Sequence, residues 1–331
     1  MKHLSPLVVS LLGLFAWPLG AGVAFAESDV HALCPSVEAD ACAVYDTGRS
    51  TGKPSLTKLT VDADLVKALA LPPAIDVLVL GEAHDNPHHH KARVAIVTAR
   101  AKAIVMEQLR ADQNAGLTAF NDFNLRASRS ATLQEFKTKV DWATGGWDKY
   151  PYDPLLSAVI AAQVPVYAGD PPRDVIRKTA KEGVGALPEA ERARLALDQP
   201  LGDRLDAVSA EEIEASHCGM LPTSAIPRMA LAQRYRDAHI ADATLTALAG
   251  RGAVVLLTGN NHARTDRGVP WYIRTRAPGT KVTSVAFVEV EPGQNDPEAY
   301  VPRDPDGKPA ADYLVLTPTI ARDDPCAGFG K

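Results

Sequence analysis

No Walker pattern and no dinucleotide-binding glycine pattern follows the first apolar run, so the nucleotide-binding signatures are missing. No Cys-x-x-Cys-His occurs, which excludes covalent attachment of a c-type haem. There is no basic excess: 35 Lys and Arg stand against 40 Asp and Glu. Non-specific nucleic-acid binding needs a basic face, so nucleic acid is not an expected partner. Beyond the first residues no apolar run approaches the ~20 residues of a membrane span. Internal repeats are absent.

The amino terminus reads as an export signal. Lys2 is followed by an almost wholly apolar stretch from Leu7 to Phe25, and Ala24-Phe25-Ala26 is a small-x-small cleavage signal. Cleavage after Ala26 is expected, giving a soluble periplasmic or secreted protein. Neither Cys34 nor Cys42 sits in a lipid-attachment context. Export permits disulfides. The four cysteines, Cys34, Cys42, Cys218 and Cys326, allow three pairings. Cys218, beside a histidine in "SHCGM", is expected to be free.

Short runs rich in Val, Ile and Leu recur at 75–80, 103–108, 164–169, 253–259 and 282–290. Such runs fit strands buried on both faces. Helical patterns lie between them, at 87–101, 154–163 and 226–250. The first has Asn86 as its cap and Pro87 at its first position, and the last stops at Gly250. The alternation predicts an α/β sandwich: a mostly parallel central sheet flanked by helices, with a small helical insertion near 181–220. The expected organisation is a signal peptide (1–26), an N-terminal extension (27–60) and a single domain (61–331). Residues 27–60 and 319–331 are expected to be loosely structured, 291–312 an exposed loop, and 313–318 an edge strand.

Histidine is concentrated in "GEAHDNPHHHKA", which holds four of the nine imidazoles. Two strands end in the same way: Gly81-Glu82-Ala83-His84 and Gly259-Asn260-Asn261-His262. Glycine lets the chain turn sharply off the sheet, and the following His can point back across its carboxyl edge. Glu107 closes "AIVMEQ" at the same edge. His84, Glu107 and His262 are therefore candidate ligands for a divalent metal such as Zn, Mn or Fe, with Glu82 as general base under that reading. Asp85 is expected to bond turn amides or orient a His. His88, His89 and His90 occupy a first helical turn, where the helix dipole favours the neutral, ligating imidazole. The spacing of His90 to Val94 and Val97 marks it as structural, and His239 is also placed in packing. His217, Cys218 and Met220 can ligate soft metal or haem iron. Arg264 and Arg267 suit carboxylates, including propionates. Trp142, Trp147, Tyr150 and Tyr152 form the densest aromatic group, fit to wall a pocket or form a dimer face. A phenolate can itself ligate haem, which adds Tyr150, Tyr152 and Tyr272 to the candidates.

Taken in order, "GEAHDNPHHHKA", "VMEQL", "SHCGMLP", "LAQRYRDAHIAD" and "LLTGNNHARTDRGVPWYI" resemble the ChaN family of haem-binding uptake proteins, in the Tiki and erythromycin-esterase-like superfamily, over roughly residues 65 to 290. The resemblance implies an α/β sandwich, export, non-covalent haem binding and a role in haem or iron acquisition, with an outer-membrane uptake machinery and a homodimer among the partners to consider. On this reading the haem-binding set is His84, His88, His89, His217, Cys218, Arg264, Arg267, Tyr150, Tyr152 and Tyr272. The wider superfamily implies the alternative, a metal-dependent hydrolase at His84, Glu107 and His262. A binding protein is favoured over an enzyme.

Overall fold

The computed structural model describes residues 42–52, 55–59, 75–126 and 130–327. The expected signal peptide and Cys34 lie outside them. Eight strands form one sheet: β1 (Ala43–Asp46), β2 (Thr57–Leu59), β3 (Val77–Leu80), β4 (Ala103–Arg110), β5 (Val166–Asp170), β6 (Val254–Leu257), β7 (Val282–Glu289) and β8 (Tyr313–Thr317). Their order is β2-β1-β8-β7-β3-β6-β4-β5. From β8 to β5 every pairing is parallel, and β1 is antiparallel to both β8 and β2. The five apolar runs in the sequence are β3 to β7.

The helices are α1 (Pro87–Arg100), α2 (Asn114–Arg126), α3 (Leu133–Lys139), α4 (Asp153–Ala161), α5 (Arg173–Glu182), α6 (Glu189–Leu195), α7 (Asp203–Ser216), α8 (Ile226–Arg251), α9 (Asn260–Ala263) and α10 (Val269–Arg276). They cover both faces. Side chains alternate along a strand, so Leu78, Leu80, Ile104 and Met106 pack under α1 and α4, while Val77, Val79, Ala103 and Val105 pack under α8 and α10. That double burial is why these strands carry no alternation of polar residues. Helices α5, α6 and α7 join the α8 side. The Asn86 side chain accepts from the amides of His88 (2.7 Å) and His89 (3.4 Å), so α1 starts where its cap predicts. Helix α8 runs past Gly250 and stops at Gly252, whose φ of 83° is open to glycine.

Several expectations are corrected. The 313–318 run is an interior strand rather than an edge one, because β1 pairs along its outer side. Residues 43–46 and 57–59 therefore extend the sheet instead of forming a loose tail. Segment 291–312 is partly internal: Tyr300, Val301 and Ala310 to Asp312 are buried beside β1 and β8. Cys218 is not free. It is bonded to Cys326, which ties the turn after α7 to the carboxyl-terminal segment, and Cys42 is also disulfide-bonded. Among the described residues no helix is long and apolar enough to cross a membrane.

Candidate functional site at the carboxyl edge of the sheet

Five parallel strands, β3 to β7, deliver polar residues to one edge, where the apolar core ends and water begins. Strand β4 carries two of them in succession. Its pairing with β5 shifts register between Met106 and Arg110, an irregularity of the kind that re-aims side chains. Glu107 and Gln108 point to opposite faces. Each nucleates its own cluster, and His84 bridges the two.

On the α1 and α4 face, Glu82 is fully buried and surrounded by donors. Its Oε1 accepts from the Tyr152 hydroxyl (2.5 Å) and the Gln108 amide (2.9 Å) and faces His84 Nδ1 (2.8 Å). Its Oε2 pairs with the buried Arg93 guanidinium and lies 3.2 Å from His90 Nδ1. Burial lowers the Arg93 pKa to about 10 even with this partner. Burial also raises the Tyr152 phenol well above its ordinary value, so it serves as a donor to Glu82. His84 donates Nδ1–H to Glu82, which leaves Nε2 without a proton. Burial lowers the His84 pKa, outweighing the attraction of Glu107, so the ring is neutral. Its side chain is 30% exposed, and it meets the Trp147 ring edge-on at 5.0 Å with Tyr150 at 6.4 Å. Gly259 permits this position: a Cβ there would lie 3.0 Å from His84 Nε2.

On the α8 face, Glu107 Oε1 accepts from Arg236 (2.9 Å) and lies 3.4 Å from His262 Nε2 and 3.9 Å from His84 Nε2. Its Oε2 accepts from the Thr258 hydroxyl (2.7 Å) and the Gly259 amide (2.6 Å). Arg236 also reaches Asp170 at the end of β5 (2.7 Å), and His262 Nδ1 meets Asp237 at 2.7 Å. Burial opposes a charge on His262, but Glu107 and Asp237 outweigh it and raise its pKa to about 10. Burial likewise opposes ionisation of Glu107, and His262 and Arg236 reverse that, holding it well below the usual carboxylate range. Burial raises the Asp170 and Asp237 carboxyls despite their cationic partners.

The sheet edge thus brings His84, Glu107 and His262 together, but they do not suit a divalent cation. Both oxygens of Glu107 are occupied, one by a guanidinium. His262 is engaged by Asp237 at Nδ1 and faces Glu107 with Nε2, and the two carboxylates favour its protonated over its ligating form. No His, Cys, Asp and Glu cluster fit to hold a metal exists among the described residues. Glu82 is shielded from water, so it orients His84 rather than acting as a base itself. In α1, His89 and His90 are neutral through burial rather than through the helix dipole, with pKa values of about 3 and about 4. His89 has both nitrogens engaged, Nδ1 by the Ala83 amide (2.8 Å) and Nε2 by Thr317 (2.8 Å), and so cannot ligate. His90 is structural, with Nε2 on the His84 carbonyl (2.9 Å). His88 is half-buried at the start of α1. Asp85 binds Arg322 of the carboxyl-terminal segment through both oxygens (2.6 and 2.7 Å), and a backbone amide in its own turn also stabilises its carboxylate. His239 bonds the Gly169 carbonyl (2.8 Å), in keeping with packing.

The remaining candidates lie elsewhere. The sulfur of Cys218 is in its disulfide and unavailable to iron. Arg264 is held by Asp266 (3.0 and 2.6 Å) and the Arg303 carbonyl (2.7 Å). Tyr272 is buried against Arg234 (3.1 Å), its phenol raised to about 12 by burial. His217 and Arg267 line a separate cleft between α7 and α8 that shares His262 with the sheet-edge site. Met220 is exposed. Sequence reasoning missed Arg93, Gln108, Arg236 and Asp237. A buried Arg three residues after His90 and an Arg-Asp pair inside α8 were the available signals.

Fold and site define an α/β protein with a buried ionic lattice at its carboxyl edge and one half-open neutral imidazole. The family of haem-binding uptake proteins of ChaN, in the Tiki superfamily, matches residues 72–273. The chain belongs to that family. Among solved structures it is similar to ChaN of Campylobacter jejuni, described as binding haem cofacially, at 18% identity and a TM-score of 0.58, over 82% of this chain and 96% of that one. A mutant erythromycin esterase EreC in its open conformation is 15% identical with a TM-score of 0.38, over 85% of this chain and 84% of that one. No curated protein matches.

Proposed function

We propose that this protein binds haem non-covalently and serves haem or iron acquisition as an exported, periplasmic protein. The observation that carries the reading is His84. It is neutral, its Nδ1 is fixed by Glu82, its Nε2 lone pair is free to meet iron, and Trp147 and Tyr150 flank it with aromatic surface suited to a macrocycle. Membership of a haem-binding family supports the ligand class. When bound, haem would supply the iron, and the chain would supply an oriented imidazole and a partly dry rim. Tyr150 and His88 are the further rim candidates. The Cys218–Cys326 bond supports an oxidising compartment. The test is a haem titration followed at the Soret band. Wild type should saturate at micromolar haem, and His84→Ala should shift or weaken the band while His239→Ala should not. No saturable Soret change in wild type would end the haem reading.

The 2.8 Å Glu82–His84 pair favours one second reading, hydrolysis with His84 Nε2 as general base and no metal at Glu107. Turnover of p-nitrophenyl acetate abolished by His84→Ala would support it. Equal rates in both proteins would refute it.

A further inference from the structure

The cleft between α7 and α8 holds a cavity of about 110 Å³ that opens to solvent. Its apolar wall is Leu201, Ile213, Met229 and Ala230. Its charged groups are arranged unevenly. Asp237 is paired with His262, and Arg234 is tied to Tyr272 and the Gln199 carbonyl (2.6 Å), facing Asp206. Arg267 differs. It is 7% exposed, one terminal nitrogen pairs with Glu212, and the other is buried with no hydrogen-bond partner, its nearest carboxylate being Asp266 at 3.7 Å. A buried guanidinium nitrogen without an acceptor is costly to leave unmatched. Its one cleft partner is the replaceable one: the Glu212 side chain is 41% exposed, on a helix that buries no residue completely.

We propose that this cleft is a binding site for a carboxylate with an apolar body, whose carboxylate displaces Glu212 from Arg267 and satisfies both terminal nitrogens. Once Glu212 swings into water, the exchange leaves the charge around Arg267 unaltered, and the aliphatic part covers the Leu201, Ile213 and Met229 wall. A guanidinium fork matches a carboxylate with two parallel bonds, which Glu212 does not achieve here. The site stands apart from His84, so it does not rest on the haem reading. Two sources share this chemistry, a free organic acid and a propionate edge of haem.

The test is calorimetric titration of octanoate into the full chain with its disulfides intact. Saturable one-to-one binding at about millimolar or tighter is expected, with 1-octanol far weaker. Glu212→Gln, a change at an exposed position, should tighten octanoate severalfold by removing the competing carboxylate. Arg267→Gln should weaken it about tenfold or more. Absence of saturable binding, equal binding of 1-octanol, or a Glu212→Gln protein no tighter than wild type overturns the proposal, and the last does so even if Arg267→Gln fails to fold. Repeating the titration with haem present separates the sources. Mutual exclusion assigns the cleft to a propionate, and independent binding assigns it to a free acid. Failure of haem to bind leaves the octanoate result standing.

Discussion

Replacing Glu82 by Gln tests the buried lattice most directly. The side chain changes little in shape, but the negative charge that faces Arg93 disappears. Arg93 is completely buried, and its pKa is lowered to about 10 by burial, so its charge is already strained in the wild type. The new amide can accept through one atom only. Its NH₂ end must face either the Tyr152 and Gln108 donors or Arg93 and His90. Removing one partner of a buried ion pair costs about 3–5 kcal/mol, because the other charge is left uncompensated. Against a typical total of ~5–15 kcal/mol, that is a large share of the stability. Urea unfolding followed by tryptophan fluorescence would measure it. Combining Glu82→Gln with Arg93→Met removes the stranded charge and should recover most of the loss. The reasoning is refuted if the single variant loses less than about 1 kcal/mol, or if the double variant is simply the sum of its two singles.

Further predictions concern the opposite face, the loop glycine and the crosslink. His262 has a folded pKa of about 10 against 6.5 for the free group, so its stabilisation is complete below pH 6.5 and is lost as pH rises through about 10. Unfolding free energy should therefore fall between those values, and His262→Gln should flatten that limb; an unchanged slope in the variant would contradict the assignment. His89 and His90 are neutral in the fold and protonate at 6.5 when unfolded, so their contribution is present above pH 6.5 and falls away towards pH 4; His90→Gln should reduce the acid loss measured by thermal melts. Gly259→Ala sets a methyl 3.0 Å from His84 Nε2, so it should alter the haem titration more than the unfolding midpoint, and the reverse pattern would count against His84. Cys218→Ser opens a bond spanning 108 residues, and chemical denaturation should show a loss of about 2–4 kcal/mol.

Strands β3 to β7 were legible in the sequence, because burial on both faces demands continuous apolar residues. The start of α1 was equally plain, since an Asn cap followed by Pro solves the problem of unpaired helix amides locally. The paired Gly-x-x-His motifs follow β3 and β6 and place His84 and His262 at the carboxyl edge of the sheet. All these are local consequences of residue type. What each His does there was not local. His262 is charged because Asp237 on α8 and Glu107 on β4 enclose it, and His84 is neutral because burial outweighs Glu107. The two imidazoles follow the same motif, yet long-range neighbours set opposite protonation states. Strand β8 likewise reads as an edge strand until β1, more than 260 residues earlier, pairs with it. Cys218 reads as free until Cys326 is folded beside it. The sequence by itself determined which residues reach the carboxyl edge; tertiary structure decided their partners, and therefore which nitrogen keeps a lone pair.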